Sequence, residues 1–313
     1  MRSKASGARA LLLVALLLLA GCSTVAGTTT QKTTTRSTPK STVPPTTTTV
    51  PPTTTTEQPG WTPVSMVGGA IAVDTQAVTE PDGHVVTLFR FRAGRTRFDL
   101  HAGSTDPPVP ANTTGPDNGP TIGPDEQPVL LAAFNGGFKV ASGSGGFELD
   151  SQVVAPLQNG IASLVIDGNG SGRVGIWGQG LPAPGEQVVS VRQNLAALVV
   201  AGQPSAGISD IAAWGSTLGG GAAVARSSLG EDGAGDLIYA ASMDAIPIDL
   251  AGALVGAGVV TAMELDINPE WVQLVSAPVP GGQLVAGIPG QGRPADQYQA
   301  GWTRDFITVL AAP

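Results

Sequence analysis

The chain of 313 residues contains a single cysteine, Cys22, and this scarcity limits how its fold can be stabilised. Because no cysteine follows Cys22, no disulfide can form within the remainder of the chain, even in an oxidising compartment. A cysteine nucleophile is excluded there for the same reason. Stability must come from burial of apolar side chains, and a domain of this length can bury a sufficient core.

Histidine is also scarce, since only His84 and His101 occur. A His-Glu-x-x-His zinc motif is therefore excluded, and a site with several histidine ligands is not expected. The sequence has neither the Gly-x-Ser-x-Gly turn of serine hydrolases nor the Gly-x-x-x-x-Gly-Lys-Ser/Thr phosphate loop. No metal motif is predicted, and the chemistry that remains is that of carboxylates, amides and arginines.

Basic residues are few in the part of the chain after residue 60. That part has 10 Lys and Arg against 23 Asp and Glu, a net charge of −13, and its only lysine is Lys139. Nucleic-acid binding depends on neutralising phosphates, so no nucleic-acid partner is expected. A polybasic membrane patch is equally disfavoured.

The N-terminus has the pattern of a bacterial lipoprotein signal. Arg2, Lys4 and Arg9 precede the apolar run 11–20, which ends in Leu-Ala-Gly before Cys22. The run is shorter than the roughly 20 apolar residues that a spanning helix needs. We predict a signal peptide over 1–21 and a lipid on Cys22, which would anchor the protein in the bilayer at the extracytoplasmic face of the cell membrane. The alternative is an ordinary signal peptide with an incidental cysteine.

Residues 22–60 and 61–313 differ in composition. The first segment is dominated by Thr, Ser and Pro and has almost no apolar residues, which predicts a disordered, extended linker between anchor and domain. The second segment is rich in glycine and in short alternating or apolar runs, which predicts one folded domain.

Strand patterns outnumber helix patterns in the domain, without regular βα alternation. We therefore predict an α+β fold: a mixed, β-rich sheet with a few packed helices, preceded by the disordered stalk. A hairpin is predicted from residues 84–92 and 95–101 around the turn Ala93-Gly94. Helices are predicted over 248–255, after Pro247, and more weakly over 194–200. Other predicted strands are 129–134, 161–166, 173–177, 237–241, 262–267 and 306–310.

Three clusters contain candidate site residues. Asn135 is followed by Gly136 and Gly137 at the end of an apolar strand, where backbone can approach a ligand closely; a plain tight turn is the alternative. Alternation places Glu264, Asp266 and Asn268 on one strand face, suited to a hard cation, a sugar or a charged intermediate. The alternative there is a solvated polar face.

The third cluster surrounds Arg226, a guanidinium amid small residues that suits either a phosphate clamp or a structural ion pair. Trp271 lies near the acidic pair of the second cluster and favours carbohydrate, because its flat ring can pack against a sugar. A hard cation at Glu264 and Asp266 stays open.

Taken in order, these clusters resemble the phosphodiester glycosidase family over residues 84–310. The similarity includes residues 100–104 (Leu-His-Ala-Gly-Ser), the Asn-Gly-Gly-Phe turn at 135–138 and Pro-Leu at 156–157 before Gly-Ile-Ala at 160–162. It continues through Arg-Gln-Asn-Leu at 192–195, Arg226 ahead of Gly230, Tyr239 and Ala-Met-Glu-Leu-Asp at 262–266. Many family members have a glycine run and a serine after the aspartate, whereas this chain has Ile-Asn-Pro-Glu-Trp at 267–271.

The resemblance implies an α+β fold and cleavage of a sugar linked through a phosphodiester. On this basis Asp266 is expected to be acid or nucleophile, with Glu264 or Glu148 as second carboxylate. Arg226 is expected to bind phosphate and Asn135 to hold sugar hydroxyls. The predicted function is a lipid-anchored hydrolase of an envelope glycan or phosphosugar polymer. The alternative is a glycan-binding or scaffolding lipoprotein that has the same fold without the reaction.

Overall fold

The structure is a computed structural model that describes residues 60–108 and 118–313. The predicted signal peptide, Cys22 and the linker up to residue 59 lie outside the described residues. No helix in the described part of the chain is long and apolar enough to cross a membrane.

Strands dominate the described residues, with only two α-helices and three short 3-10 helices beside them. The helices are α1 (Pro247–Gly256) and α2 (Gln297–Ala300). The strands are β1 (Thr62–Val67), β2 (Ala70–Thr79), β3 (Val85–Phe91), β4 (Thr96–His101), β5 (Leu130–Asn135), β6 (Phe147–Leu149), β7 (Gln152–Ala155), β8 (Ala162–Asp167), β9 (Gly172–Ile176), β10 (Val188–Gln193), β11 (Ala197–Val200), β12 (Gln203–Pro204), β13 (Val224–Asp232), β14 (Leu237–Ala245), β15 (Val259–Ile267), β16 (Leu274–Ser276), β17 (Val285–Ala286) and β18 (Phe306–Ala311).

These strands form three antiparallel sheets, where the sequence predicted one mixed sheet. The eight-stranded sheet has the order β1-β2-β3-β14-β13-β15-β11-β12. A C-terminal five-stranded sheet has the order β17-β16-β5-β18-β4, and a middle five-stranded sheet the order β7-β6-β10-β8-β9. The prediction of a β-rich fold with few helices is confirmed, and the arrangement of its strands in one sheet is wrong.

The eight-stranded sheet is covered on both faces. Phe89, Phe91 and Leu265 belong to a core cluster that also takes side chains from both five-stranded sheets, such as Phe134 and Leu164. On the opposite face, Val86 and Leu88 pack with Leu250 and Leu254 of α1. Successive strand residues point to opposite faces, so burial on both explains why apolar residues follow one another in the central strands β3 and β14.

The predicted strands are all present, but the predicted hairpin is wrong. β3 pairs with β2 and β14, whereas β4 pairs with β18 in the C-terminal sheet. At the turn, the N–H of Thr96 donates to Arg92 O at 3.1 Å, and the Ala93 N–H donates to Asp236 Oδ1 at 2.8 Å. These contacts redirect the chain from one sheet into another.

One predicted helix is confirmed and the other is wrong. α1 begins at Pro247, and Asp249 Oδ2 accepts the Ile246 N–H at 2.8 Å. The chain over 194–200 instead forms β11, in which Ala197 lies opposite Met263 of β15. Leu195 has a left-handed φ of 55°, which stops a helix, and the valines that follow favour a strand.

Candidate active site

The double-glycine turn after β5 passes directly against a buried aspartate. The Gly136 N–H donates to Asp305 O at 3.0 Å, and a Cβ on Gly136 would lie 1.9 Å from Asp305 Oδ2. A Cβ on Gly137 would lie 2.9 Å from the Arg192 guanidinium carbon. Both glycines are therefore required because charged side chains pack onto the turn.

Asn135, expected to hold sugar hydroxyls, is turned into the protein. Its side-chain nitrogen donates to Ser227 Oγ and to Gly136 O, each at 2.9 Å. Its Oδ1 accepts from the Tyr239 hydroxyl at 2.8 Å and from the Gln273 N–H at 3.2 Å. In this structure the amide joins β5, β13 and β14 and does not line the cavity described below.

Asp266 lies at the end of β15, next to that turn. Its N–H donates to Gly136 O at 2.9 Å, and Ser227 Oγ donates to its carbonyl at 2.7 Å. Its Oδ2 pairs with an Arg304 nitrogen at 2.8 Å. Burial raises the pKa of this carboxyl to about 7, and the Arg304 charge opposes the rise.

Arg304 and Asp305, immediately before β18, are site residues that sequence reasoning missed. Asp305 accepts from Arg192 Nε at 2.6 Å, and both side chains are fully buried. Arg304 also donates to Gly137 O at 3.0 Å. The signal for them was an Arg-Asp pair directly before the last apolar strand.

Glu264 and Arg226 form a second buried ion pair. Arg226 donates through one nitrogen to Glu264 Oε1 at 2.6 Å and to Trp214 O at 2.9 Å. Burial raises the pKa of Glu264 to about 8, and Arg226 opposes the rise. The other carboxylate oxygen of Glu264, and Nε and the other terminal nitrogen of Arg226, have no hydrogen-bond partner in the described part of the chain.

A cavity of about 520 Å³ opens beside Asp266. Lys139, Arg304 and Asn268 line it together with Asp266, so it contains both cationic and acidic groups. The rest of its wall is formed by serines and by small or apolar residues: Ser142, Ser144, Ser216, Ala212, Ala213, Gly215, Phe138, Leu195, Leu218 and Ile267. A carboxyl that titrates near pH 7 at such a wall can give or take a proton under neutral conditions.

The structure also places the remaining predicted residues. Asn268 has a left-handed φ of 76° and its Oδ1 accepts the Leu218 N–H at 2.8 Å, so it anchors a loop at the cavity. The Arg304 guanidinium carbon lies 4.9 Å from the centre of the Trp271 ring, which places the ring against Arg304, and Trp271 does not line the cavity. Glu148 lies half-buried in β6 of the middle sheet and does not line the cavity.

A hard cation at Glu264 and Asp266 would compete with arginine. Glu264 already faces Arg226, and Asp266 already faces Arg304. The two carboxylates are therefore better suited to pairing with these arginines than to binding a divalent ion.

Comparison with known proteins gives a distant likeness in fold. No family model and no curated protein matches the chain. A solved structure of the zebrafish N-acetylglucosamine-1-phosphodiester alpha-N-acetylglucosaminidase catalytic domain, auto-inhibited by its pro-peptide, is similar at 15% identity and TM-score 0.47, over 80% of this chain and 87% of that one.

Two bacterial structures are also similar. A hypothetical protein from Synechocystis matches at 14% identity and TM-score 0.46, over 80% of this chain and 64% of that one. A putative exported protein from Burkholderia pseudomallei K96243 matches at 13% identity and TM-score 0.39, over 73% of this chain and 74% of that one. These likenesses concern the fold and assign no activity to this chain.

Proposed function

We propose that the protein is a hydrolase that cleaves a glycosyl bond to phosphate in a cell-envelope glycan. The observation that carries the proposal is the Asp266 carboxyl, which lines a cavity beside Lys139 and Arg304 and has a pKa raised to about 7. Residues of the motifs that resemble the phosphodiester glycosidases are also in contact on and beside β15: the Asp266 N–H donates to Gly136 O at 2.9 Å, and Glu264 pairs with Arg226 at 2.6 Å.

Asp266 would act as the general acid. Hydrolysis breaks the bond between the anomeric carbon and the phosphate oxygen and adds the hydroxyl of water to the carbon. The proton that this water gives up passes to solvent, from which Asp266 is reprotonated for the next turnover. A carboxyl with a pKa near 7 is protonated for part of the time at neutral pH, so it can donate a proton to the leaving oxygen. Glu264 is 1% exposed and paired with Arg226, and it would hold Arg226 in place without contacting substrate.

Lys139 and Arg304 would bind the phosphate. Lys139 is exposed and is the only lysine after residue 60, in a domain with a net charge of −13. Against the one carboxylate of Asp266, Lys139 and Arg304 therefore give this cavity wall a net positive charge in an otherwise acidic domain. Such a pair attracts an anion and stabilises the charge on a departing phosphate.

The lipid anchor belongs to the same proposal. Cys22 would carry the lipid, and the linker to residue 60 would let the domain reach glycans away from the bilayer. The proposed location is the extracytoplasmic face of the cell membrane, with a phosphate-bearing envelope polymer as partner.

A binding function without turnover is the second candidate. It is favoured by the segment after Asp266, where the side chain of Asn268 is already hydrogen-bonded. Its Oδ1 accepts the Leu218 N–H, and its nitrogen donates to Ser216 O at 3.5 Å. Asn268 therefore fixes this loop at the cavity wall, and the N–H groups of Ile267 and Asn268 already donate to Asp266 Oδ1 and Ala225 O, so they are not free to bind phosphate.

The test uses a methyl diester of N-acetylglucosamine 1-phosphate and isolated phosphate-bearing wall polymer. We expect wild-type protein to release sugar and Asp266→Asn to be slower by roughly 100-fold or more, since loss of a general acid typically costs 10²–10⁴. The matched control is Asp125→Asn, the same change at an exposed position. Equal turnover by Asp266→Asn overturns the mechanism, and calorimetric binding without sugar release supports the second candidate.

A further inference from the structure

A second group of ionisable side chains lies outside the candidate active site. Asp82 and His84 are in the turn between β2 and β3, and Asp249 is in the first turn of α1. The potential ligand atoms of these three residues all lie within 4.8 Å of one another. Residues distant in sequence therefore present one imidazole nitrogen and two carboxylates to the same point.

The contacts within this group leave one charge unsatisfied. His84 Nδ1 is 2.8 Å from Asp249 Oδ2 and 2.9 Å from Asp82 Oδ2. A ring nitrogen carries either one proton or one lone pair, so it can make one good hydrogen bond, while two carboxylates converge on it. A cation at this point would relieve the repulsion between them.

Local hydrogen bonds hold the three residues in place. Asp82 Oδ1 accepts the His84 N–H at 3.1 Å, and the Glu80 N–H donates to His84 O at 2.8 Å, which closes the turn. Asp249 is 4% exposed and its Oδ2 accepts the Ile246 N–H at 2.8 Å. Because the donors are held before an ion arrives, little ordering entropy remains to be lost.

The surroundings favour a cation and give it access. Glu80 and Asp244 add negative charge nearby: the Glu80 carboxylate packs against Gly252 of α1, where a Cβ would lie 2.8 Å from its Oε2, and Asp244 lines the same cleft as His84. This charge offsets the positive end of the α1 dipole, which by itself opposes a cation. Gly83 and His84 line a cleft of about 270 Å³ through which an ion can enter.

We propose that Asp82, His84 and Asp249 form a zinc-binding site that ties the β2–β3 turn to the start of α1. The imidazole lone pair and two carboxylate oxygens are a donor set that Zn²⁺ accepts, with water completing the tetrahedron. At bond lengths of about 2.0–2.1 Å the donors would lie roughly 3.3 Å apart, so the present contacts need to open by only about half an ångström. Binding requires neutral His84, so a proton is released.

The test titrates ZnCl₂ into the purified full chain carrying Cys22→Ser, so that no thiol can bind the metal. We expect one saturable equivalent by calorimetry, proton release and a rise in Tm with zinc concentration. His84→Gln and Asp82→Asn are expected to weaken zinc binding by about tenfold or more. Loss of a group that only supports a metal ligand typically weakens metal binding about 10–100-fold, and loss of a ligand itself should cost at least the lower of these values. Asp296→Asn, an exposed carboxylate elsewhere, should bind as wild type does.

Other outcomes overturn the proposal. It is wrong if zinc gives no saturable binding, or if His84→Gln and Asp82→Asn bind zinc as tightly as the control. It is also wrong if Ca²⁺ at the same concentration as Zn²⁺ displaces zinc equally well from the wild-type protein and from His84→Gln. The imidazole would then not be a ligand. Sugar release is not a readout here, so failure of this proposal is separate from failure of the proposed function.

Discussion

At the scale of single residues, the site depends on buried charges that lie next to one another. Glu264 and Asp266 were predicted together, because alternation along a strand fixes which side chains share a face, whereas Arg226 was predicted separately as a cation amid small residues. Arg304 and Asp305 were not predicted, because they enter from the far end of the chain through tertiary contacts. The glycines of the turn were interpreted as allowing the backbone to approach a ligand closely. The structure shows that they are required because Asp305 and Arg192 pack against them.

Asp266 links the proposed activity to pH-dependent stability. Its pKa is raised from 3.8 to about 7 by burial, so the folded state binds its proton more tightly than the unfolded state does. Its contribution is fully present below the unfolded pKa and is lost as pH rises through about 7. We expect Asp266→Asn to lose less stability than wild type between pH 4 and pH 8, by up to about 4 kcal/mol at 1.36 kcal/mol per pKa unit.

Urea unfolding of both proteins across that pH range measures this difference. Parallel curves of unfolding free energy against pH would show that Asp266 does not titrate in the folded state as described.

Gly136 gives a second prediction at this scale. A methyl group there meets the Asp305 carboxylate at 1.9 Å, so Gly136→Ala must displace a buried ion pair. We expect it to lower the free energy of unfolding by about 1–3 kcal/mol and to reduce sugar release. Gly233→Ala, where a Cβ meets nothing within 4 Å, is the control and should change neither quantity measurably. Equal stability of the two variants in urea would contradict the packing described here.

At the scale of elements, strands were predictable and their partners were not. Alternation and apolar runs predicted β3, β4, β5 and β15 correctly, since period-two patterning is local. Partner choice depends on residues far away: Arg92 is held by Asp74 at 2.7 Å and by Asp236 at 3.2 Å, which keeps the end of β3 in the eight-stranded sheet. Leu and Ala in the segment 194–200 led to the helix prediction, but its two valines favour a strand and β15 supplies a pairing partner for it as β11.

The pairing of β4 with β18 can be tested with engineered cysteines, because the described residues contain none of their own. Thr96 lies opposite Ala311, and paired Cα atoms in antiparallel strands are about 4.5–5.5 Å apart, within disulfide range. In a Cys22→Ser background we expect Thr96→Cys with Ala311→Cys to form a disulfide under mild oxidation, detected by loss of free thiol.

The control is the pair Val85→Cys and Ala102→Cys, which would face each other if β3 and β4 formed a hairpin. These cysteines should stay reduced. Oxidation of the control pair, with free thiols in the first, would restore the hairpin and refute the three-sheet arrangement.

At the scale of the whole molecule, composition correctly predicted that burial of apolar side chains stabilises the fold. A chain without disulfides has to bury apolar surface, and the described residues do so on both faces of the eight-stranded sheet. The number of sheets was not predictable, because the sequence pattern of a short strand does not indicate which sheet the strand belongs to.

The anchor prediction also belongs to this scale. We expect the wild-type chain to fractionate with membranes and to incorporate labelled palmitate, because Cys22 is the only acceptor thiol. Cys22→Ser should remove the label and move the protein out of the membrane fraction, whereas Ser23→Ala should behave as wild type. Retention of Cys22→Ser in washed membranes would refute a thiol-linked lipid as the anchor.

The candidate site is assembled from all three sheets. Asp266 comes from the eight-stranded sheet and Arg192 from the middle sheet. Gly136 directly follows β5, and Arg304 lies just before β18, which are interior strands of the C-terminal sheet. No one layer holds enough of these groups to bind or react alone. If the proposed function is correct, sugar release should therefore disappear at the same denaturant concentration as the fold itself, so that loss of activity would report the loss of tertiary assembly.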